Sequence, residues 1–357
     1  MAHFPPLEGG AKEAVEAGML TKPEIDDGRI GACLREEYGL TGVRVAFLPL
    51  GADENTAVYR AVDGGGRAWF VKLRRGAFDE TSVELPRFLA DEGIAQIIPP
   101  IYSRRGALWA NVGGFRLIVY PFVEGRDGYE VSLSARQWVE LGGALKRIHA
   151  IALPAGLRGR IGQEGYRGDG RQAVLEALDD IVRRDFEEPV AARAAALLRA
   201  RRAGVLDLVA RAERLAGMLR GRDGERVLCH SDLHAGNVLI AAGGGLYMVD
   251  WDEPILAPKE RDLMYAGGGL MGGWRTPEEE EALFYRGYGE VEIDRAALAY
   301  YRYERIVQDI AAYCRQLLGS DEGGEDRERS LRFLASNWDP GGVVEIAYRS
   351  DRTTEQG

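Results

Sequence analysis

The chain has 357 residues, of which 46% are hydrophobic and 29% charged, and its formal net charge is −10. Such a chain folds with ordinary hydrophobic cores and is long enough for two of them; its acidity argues against nucleic acid as a partner and leans toward small cationic molecules. No apolar run reaches the length of a membrane span, Met1 to Gly18 lack the order of a signal peptide, and Cys33, Cys229 and Cys314 show neither a disulfide framework nor a metal spacing. The expected compartment is therefore the cytoplasm, with no membrane and no obligatory protein partner.

In chain order, residues 1–18 read as a flexible leader, and Lys22 to Tyr38 as a helix of modest amphipathicity built on Ile25, Ile30 and Leu34. Val43–Leu50, Ala57–Val62 and Ala68–Leu73 are β-branched and aromatic runs that read as strands. Asp79 to Glu92 has a helical pattern, with a break or kink expected at Pro86. Gly113-Gly114 then joins Ala107–Val112 to Phe115–Phe122 in a hairpin. These elements predict a small antiparallel sheet with a single helix against it, over residues 19–122.

Beyond Phe122 the pattern becomes helical. Ser134-Ala-Arg-Gln137 is a capping box opening a helix that ends near His149. Arg171 to Leu219 reads as two or three helices broken around Pro189 and Gly204. Thr276-Pro-Glu-Glu279 opens another helix, Asp294 caps a long one through Leu318, and a short helix is expected near Ser330–Asn337. Residues 123–347 form the expected helical domain, and 348–357 a tail. The fold class is α+β.

The chemistry concentrates between Val227 and Asp262. His230-Ser-Asp232 is followed by Asn237 five residues after the aspartate and by Asp250 thirteen further on. That is the H-x-D-x-x-x-x-N arrangement followed by a second aspartate, a spacing suited to phosphoryl transfer. One carboxylate, Asp232, meets an acceptor hydroxyl; an amide and a carboxylate, Asn237 and Asp250, hold the magnesium that neutralises a triphosphate. His230 is expected to brace the loop, and Asp262 to anchor it by accepting backbone N–H bonds.

Upstream, Lys72 shares a strand face with Phe70, where a lysine needs a negative partner unless it points to water. It is expected to grip nucleotide phosphates, held by a helix glutamate. Glu80 and Glu84 both lie at suitable spacing, and Glu80 is favoured. Leu50 to Thr56 carries Gly51 and Asn55 where a nucleotide-covering loop belongs, although taken alone the segment reads more readily as a plain hairpin turn. Tyr120-Pro-Phe122 is the candidate adenine-framing hinge, or else an ordinary strand exit. Asp252, Glu304 and Asp309 are candidate carboxylates for a cationic substrate, their alternative being ion pairs on a helix surface.

HSDLHAGNVL, VDWDEPILAPKERDLM and YYRYERIVQDIA, with the Gly51 loop and the FVKL strand, resemble the aminoglycoside phosphotransferase branch of the protein-kinase-like fold. The resemblance runs from Met19 to about Ala347. It implies a bilobal kinase-like architecture, with Asp232 as catalytic base, Asn237 and Asp250 on Mg2+, and Lys72 on phosphate. It implies ATP or another nucleoside triphosphate as donor, and as acceptor a hydroxyl of an aminocyclitol or aminoglycoside antibiotic of the spectinomycin kind. Ser231 departs from the H-R-D of protein kinases, and nine residues between Asp250 and Glu260 are too few for a peptide-cradling activation segment. A kinase for a small amino-alcohol, choline-like or homoserine-like, is the competing enzyme reading. A non-catalytic nucleotide-binding module would require a lesion among Lys72, Asp232, Asn237 and Asp250, and the sequence has none.

Overall fold

A computed structural model describes residues 22–49, 55–222, 224–319 and 324–352. The chain divides into two compact units, one comprising Met1–Ile161 with Ala235–Pro254, the other Gly162–His234 with Ile255–Gly357.

The first unit opens with α1 (Asp27–Tyr38), whose N-terminus is capped by the Asp26 carboxylate accepting the Arg29 N–H at 3.2 Å. Three strands follow: β1 (Arg44–Leu48), β2 (Thr56–Val62) and β3 (Ala68–Arg75). After α2 (Thr81–Asp91) come β4 (Ala110–Val112) and β5 (Phe115–Pro121). The sheet order is β1-β2-β3-β5-β4, and every pair is antiparallel. Gly113 and Gly114 carry φ of 55° and 84°, the double left-handed turn that a two-residue hairpin requires and that side chains resist.

Alternation along β3 decides which residues are core. Trp69, Val71 and Leu73 are buried, whereas Phe70, Lys72 and Arg74 lie on the other face. The buried face packs on Ile30 and Leu34 of α1, together with Tyr59, Leu117 and Val119. On the Lys72 face, Val83 of α2 packs against Ile118, the cross-strand partner of Lys72, and Leu108. The sheet thus carries two helices, α1 on one face and α2 on the other, not the single helix expected. Pro86 lies inside α2 without ending it.

The first unit also extends beyond residue 122. Strand β6 (Gly125–Asp127), α3 (Ala135–His149) and α4 (Ala155–Arg158) belong to it. Ser134 and Gln137 form the reciprocal capping box at the start of α3. The second unit then begins with β7 (Gly162–Gln163), α5 (Asp169–Arg183), α6 (Pro189–Leu219) and β8 (Val227–Cys229). Proline sits at the first position of α6, but Gly204 does not break that helix. Glycine in a helix interior costs only about 1 kcal/mol, and the flanking Ala194, Ala195, Leu198, Val205 and Leu208 are buried.

The chain returns to the first unit for the hairpin β9 (Val238–Ala241) and β10 (Leu246–Met248). β6 pairs with β9, and Gln137 of α3 donates to the Gly244 carbonyl at the hairpin tip, 3.1 Å away. The hairpin in turn joins the earlier residues through the Met248 N–H, which donates to the Gln96 carbonyl at 2.8 Å, and the first unit runs on to Ile161, past the expected residue 122.

Back in the second unit, β11 (Ile255–Ala257) pairs parallel with β7 and antiparallel with β8. It leads to α7 (Glu260–Leu263), α8 (Pro277–Tyr288), α9 (Arg295–Leu318), α10 (Gly324–Ser336) and α11 (Val343–Arg352). Thr276 and Glu279 form a second capping box, and Asp294 caps α9. α11 occupies residues 348–352, the first half of the expected tail. It is held by the fully buried Asp351 carboxylate, which accepts from Arg211 at 2.7 Å and Arg214 at 3.0 Å. Cys33, Cys229 and Cys314 are all buried and unbridged.

Candidate active site

In the first unit, the strand that carries Lys72 sets its direction. Its ammonium lies 2.7 Å from Asp252 Oδ2 and 3.5 Å from Asp250 Oδ1. Arg74, two residues on and therefore on the same face, lies 3.2 Å from the other Asp252 oxygen. Burial alone would lower the Lys72 pKa, but Asp250 and Asp252 more than reverse this and hold the amine firmly protonated. Burial likewise acts to raise the Asp252 carboxyl, and Lys72 and Arg74 pull it below the usual range.

The expected Lys72–Glu80 pair is corrected by these contacts. Glu80 is the residue preceding α2, where its carbonyl accepts the Val83 and Glu84 N–H groups. The alternative, Glu84, pairs with Arg160. Among the described residues the carboxylates on Lys72 are Asp250 and Asp252.

Asn237 and Asp250 flank the β9–β10 hairpin. The register Val238↔Met248 places Asn237 and Val249 opposite each other at its open end, and the Val249 N–H donates to the Asn237 carbonyl at 3.0 Å. Asn237 closes a single 3₁₀ turn, Ala235–Asn237, and is buried. Asp250 has φ 63°, a left-handed conformation that aspartate and asparagine tolerate better than most residues. Trp251 is buried and donates to the Met248 carbonyl at 3.1 Å.

Among the nucleotide candidates, Asn55 accepts the Arg75 N–H through its carbonyl at 2.8 Å, and Gly51 lies outside the described residues. The Tyr120 ring meets Phe70 edge-on at 6.1 Å, on the Lys72 face. Phe122 carries the Arg60 guanidinium 5.0 Å above its ring.

In the second unit, Asp232 follows β8 on a loop braced from several sides. The Asp262 carboxylate accepts the N–H groups of His230 and Ser231, both at 2.8 Å. Ser231 has φ 72°, and Tyr265 donates its hydroxyl to the Ser231 carbonyl at 2.9 Å. The Asp232 N–H donates to His230 Nδ1 at 3.3 Å. Around the Asp232 carboxylate itself, Arg305 of α9 meets Oδ1, Tyr265 stands 3.4 Å from that oxygen, and His234 Nε2 lies 3.5 Å from Oδ2. Burial would raise this carboxyl, but Arg305 and His234 hold it well below the usual carboxylate range.

Arg305 is a site residue that the sequence does not single out. Its spacing to Asp309, one helical turn, signals that pair, and the Arg305 Nε does lie 3.0 Å from Asp309. The contact with Asp232 spans 73 residues and leaves no local mark.

The three candidate substrate carboxylates are therefore all engaged inside the protein. Asp252 bridges Lys72 and Arg74, and Asp309 holds Arg305. Glu304 is buried against Arg171 of α5 at 2.8 Å, each side chain only 3% exposed, and this corrects its assignment to substrate. Burial pushes its carboxyl up to about 7, although Arg171 pulls the other way. With Glu304 truncated, the buried Arg171 keeps Glu213 at 3.1 Å and the Tyr166 carbonyl at 3.0 Å, so Glu304→Ala is expected to lose about 3 kcal/mol of stability in denaturant unfolding, the lower end for a broken buried pair. A Glu304→Ala protein of unchanged stability but weakened acceptor binding would return Glu304 to the substrate.

The profile of the phosphotransferase enzyme family matches residues 46–302. The structure of spectinomycin phosphotransferase, APH(9)-Ia, in complex with ADP and spectinomycin is 35% identical, covers 92% of this chain and 99% of its own, and superposes with a TM-score of 0.85. Protein StrN of Streptomyces griseus is 26% identical over 300 residues, 81% of this chain and 85% of its own. A microcompartment-associated aminopropanol kinase, 16% identical with a TM-score of 0.59, covers 93% of this chain and 98% of its own and shares the fold.

Proposed function

The chain belongs to the phosphotransferase enzyme family, and from that premise we propose that it transfers the terminal phosphoryl group of ATP to a hydroxyl of a spectinomycin-like aminocyclitol antibiotic, conferring resistance. The observation that carries this reading is the 35% identity across 92% of the chain to an enzyme named for spectinomycin and bound to it. The alternative amino-alcohol reading has only fold-level likeness behind it, at 16% identity.

Each group has work suited to its surroundings. Asn237 and Asp250 would hold Mg2+: the hairpin brings an amide oxygen and a carboxylate, both hard donors, to one end. An ion held there would supply the charge that neutralises the triphosphate. Lys72, kept charged by its two aspartates, offers a cation to the phosphates, and Tyr120 and Phe122 are the residues proposed to frame the base. Asp232, held ionised by Arg305 and His234, orients the acceptor hydroxyl and accepts its proton late, as a weak base must.

Among the described residues no helix is long and apolar enough to cross a membrane; with three buried, unbridged thiols, this suits the proposed cytoplasmic location. The test is ATP consumption by the purified chain against aminocyclitols, aminoglycosides and small amino-alcohols, with product mass as a second readout. Turnover of spectinomycin with a mass gain of one phosphoryl group is expected. Turnover of choline or homoserine alone would overturn the antibiotic reading.

A further inference from the structure

We propose that Arg305 is a positioning residue for the transfer step: anchored by Asp309, it pins one oxygen of the Asp232 carboxylate so that the other, on the His234 side, faces the acceptor hydroxyl. The inference rests on Asp232 being the base and adds the device that aims it.

The geometry is that of a guanidinium serving two carboxylates. Arg305 and Asp309 lie one turn apart on α9, and the Arg305 Nε meets Asp309 at 3.0 Å while its Nη1 reaches Asp232 Oδ1. Nη1 also stands 3.3 Å from the Tyr265 hydroxyl, whose own bond to the Ser231 carbonyl ties it to the catalytic loop. Arg305 is only 20% exposed, and its fork is planar, so fixing Nε on α9 fixes the direction in which Nη1 points. Asp262 secures the backbone of His230 and Ser231 and not the Asp232 side chain, and within the loop His234 approaches that carboxylate on the Oδ2 side. Arg305 supplies the restraint on Oδ1, and the Tyr265 hydroxyl, whose proton goes to the Ser231 carbonyl, stands 3.4 Å from that oxygen.

A lysine at this position would supply charge without the fork, and an apolar residue would supply neither. A simple surface ion pair does not describe the arrangement, because such a pair would leave Arg305 exposed and Asp232 uninvolved. The ionisable groups around Asp232 in this unit are Arg305 and Asp309 of α9, Tyr265 and Asp262 following and within α7, Arg261 beside Tyr265, and His230 and His234 of the loop. Of these, Arg305 is the permanent cation touching the carboxylate, so its removal lets the Asp232 pKa return toward the ordinary value.

The experiment compares Arg305→Ala, Arg305→Lys and Asp309→Asn with the native chain, measuring kcat, KM for nucleotide and acceptor, and the pH dependence of kcat/KM. Arg305→Ala is expected to lower kcat on the order of 100-fold, the usual cost of a misplaced reacting group, with nucleotide KM nearly unchanged. Its acidic limb should move up by about one to three pH units, the usual effect of losing an adjacent opposite charge. Arg305→Lys should restore the position of the acidic limb but only part of kcat, because the charge returns and the fork does not. Asp309→Asn should fall between the two.

Arg305→Ala with an unmoved acidic limb, or with a raised rate, would overturn the proposal; the second result would make Arg305 a latch that the substrate must displace. Should Arg305→Ala fail to fold, the Lys variant still decides: native kcat in Arg305→Lys would show that the fork is not needed and would equally overturn it. A native chain that turns over no acceptor removes the reading of Asp232 beneath this inference, whereas an active native chain with an unmoved limb in the variant removes the role of Arg305 alone.

Discussion

Asp232→Ala is expected to reduce phosphoryl transfer by on the order of 10²–10⁴-fold, the range for a positioned acid–base group, while nucleotide affinity stays nearly native. The separation follows from where the side chain sits. Its contacts are with Arg305, Tyr265 and His234 in the second unit. Lys72, assigned to the nucleotide, and Asp250, assigned to its metal, belong to the first unit and pair with each other at 3.5 Å. Asp232→Asn is the sharper variant, since it keeps the shape and removes the charge that Arg305 faces. Measured rates at saturating ATP, alongside a nucleotide titration, decide the matter. Retention of more than roughly a tenth of the native rate in either variant would discredit the assignment.

Asp250→Asn should weaken nucleotide binding only when magnesium is present. Losing even an outer-shell partner costs a metal site about 10- to 100-fold, so a direct ligand is expected to cost at least about tenfold. Asparagine is chosen because φ 63° at this position tolerates it, which leaves the backbone between β10 and Trp251 undisturbed. The expected result is convergence: native and variant chains bind nucleotide alike in chelator and diverge as magnesium is added. Divergence in chelator as well would mean that Asp250 acts mainly through Lys72, 3.5 Å away, and not through the ion.

What the sequence made legible was local. Capping boxes at Ser134 and Thr276 rest on residues three apart, and the Gly113-Gly114 turn on two neighbours, so both are visible in a short window. The H-x-D-x-x-x-x-N spacing and the aspartate after the hairpin are local in the same sense. The side of β3 that carries Lys72 followed from alternation alone. What escaped notice depends on partners far along the chain. Lys72 meets Asp252 across 180 residues, which no helix or strand period encodes, whereas helical spacing offers only the nearby Glu80 and Glu84 as its partners. Glu304 resembled a surface carboxylate since helical spacing shows which residues share a face, not whether that face is covered by α5. The same blindness hid Arg305. Gly204 was given too much weight, because burial along α6 outweighs its weak propensity.

The β9–β10 hairpin has an implication for the timing of order. Asn237 and Asp250 are thirteen positions apart, and the ladder between Val238 and Met248 has already closed the segment that joins them. The entropy of bringing the two donors together is lost when the protein folds, and little more has to be lost when a metal–nucleotide complex arrives. Affinity for that complex is thereby coupled to the integrity of one short ribbon, and strand-disrupting changes at Leu239 or Tyr247, neither of which supplies a proposed ligand, would be felt as weaker chelation.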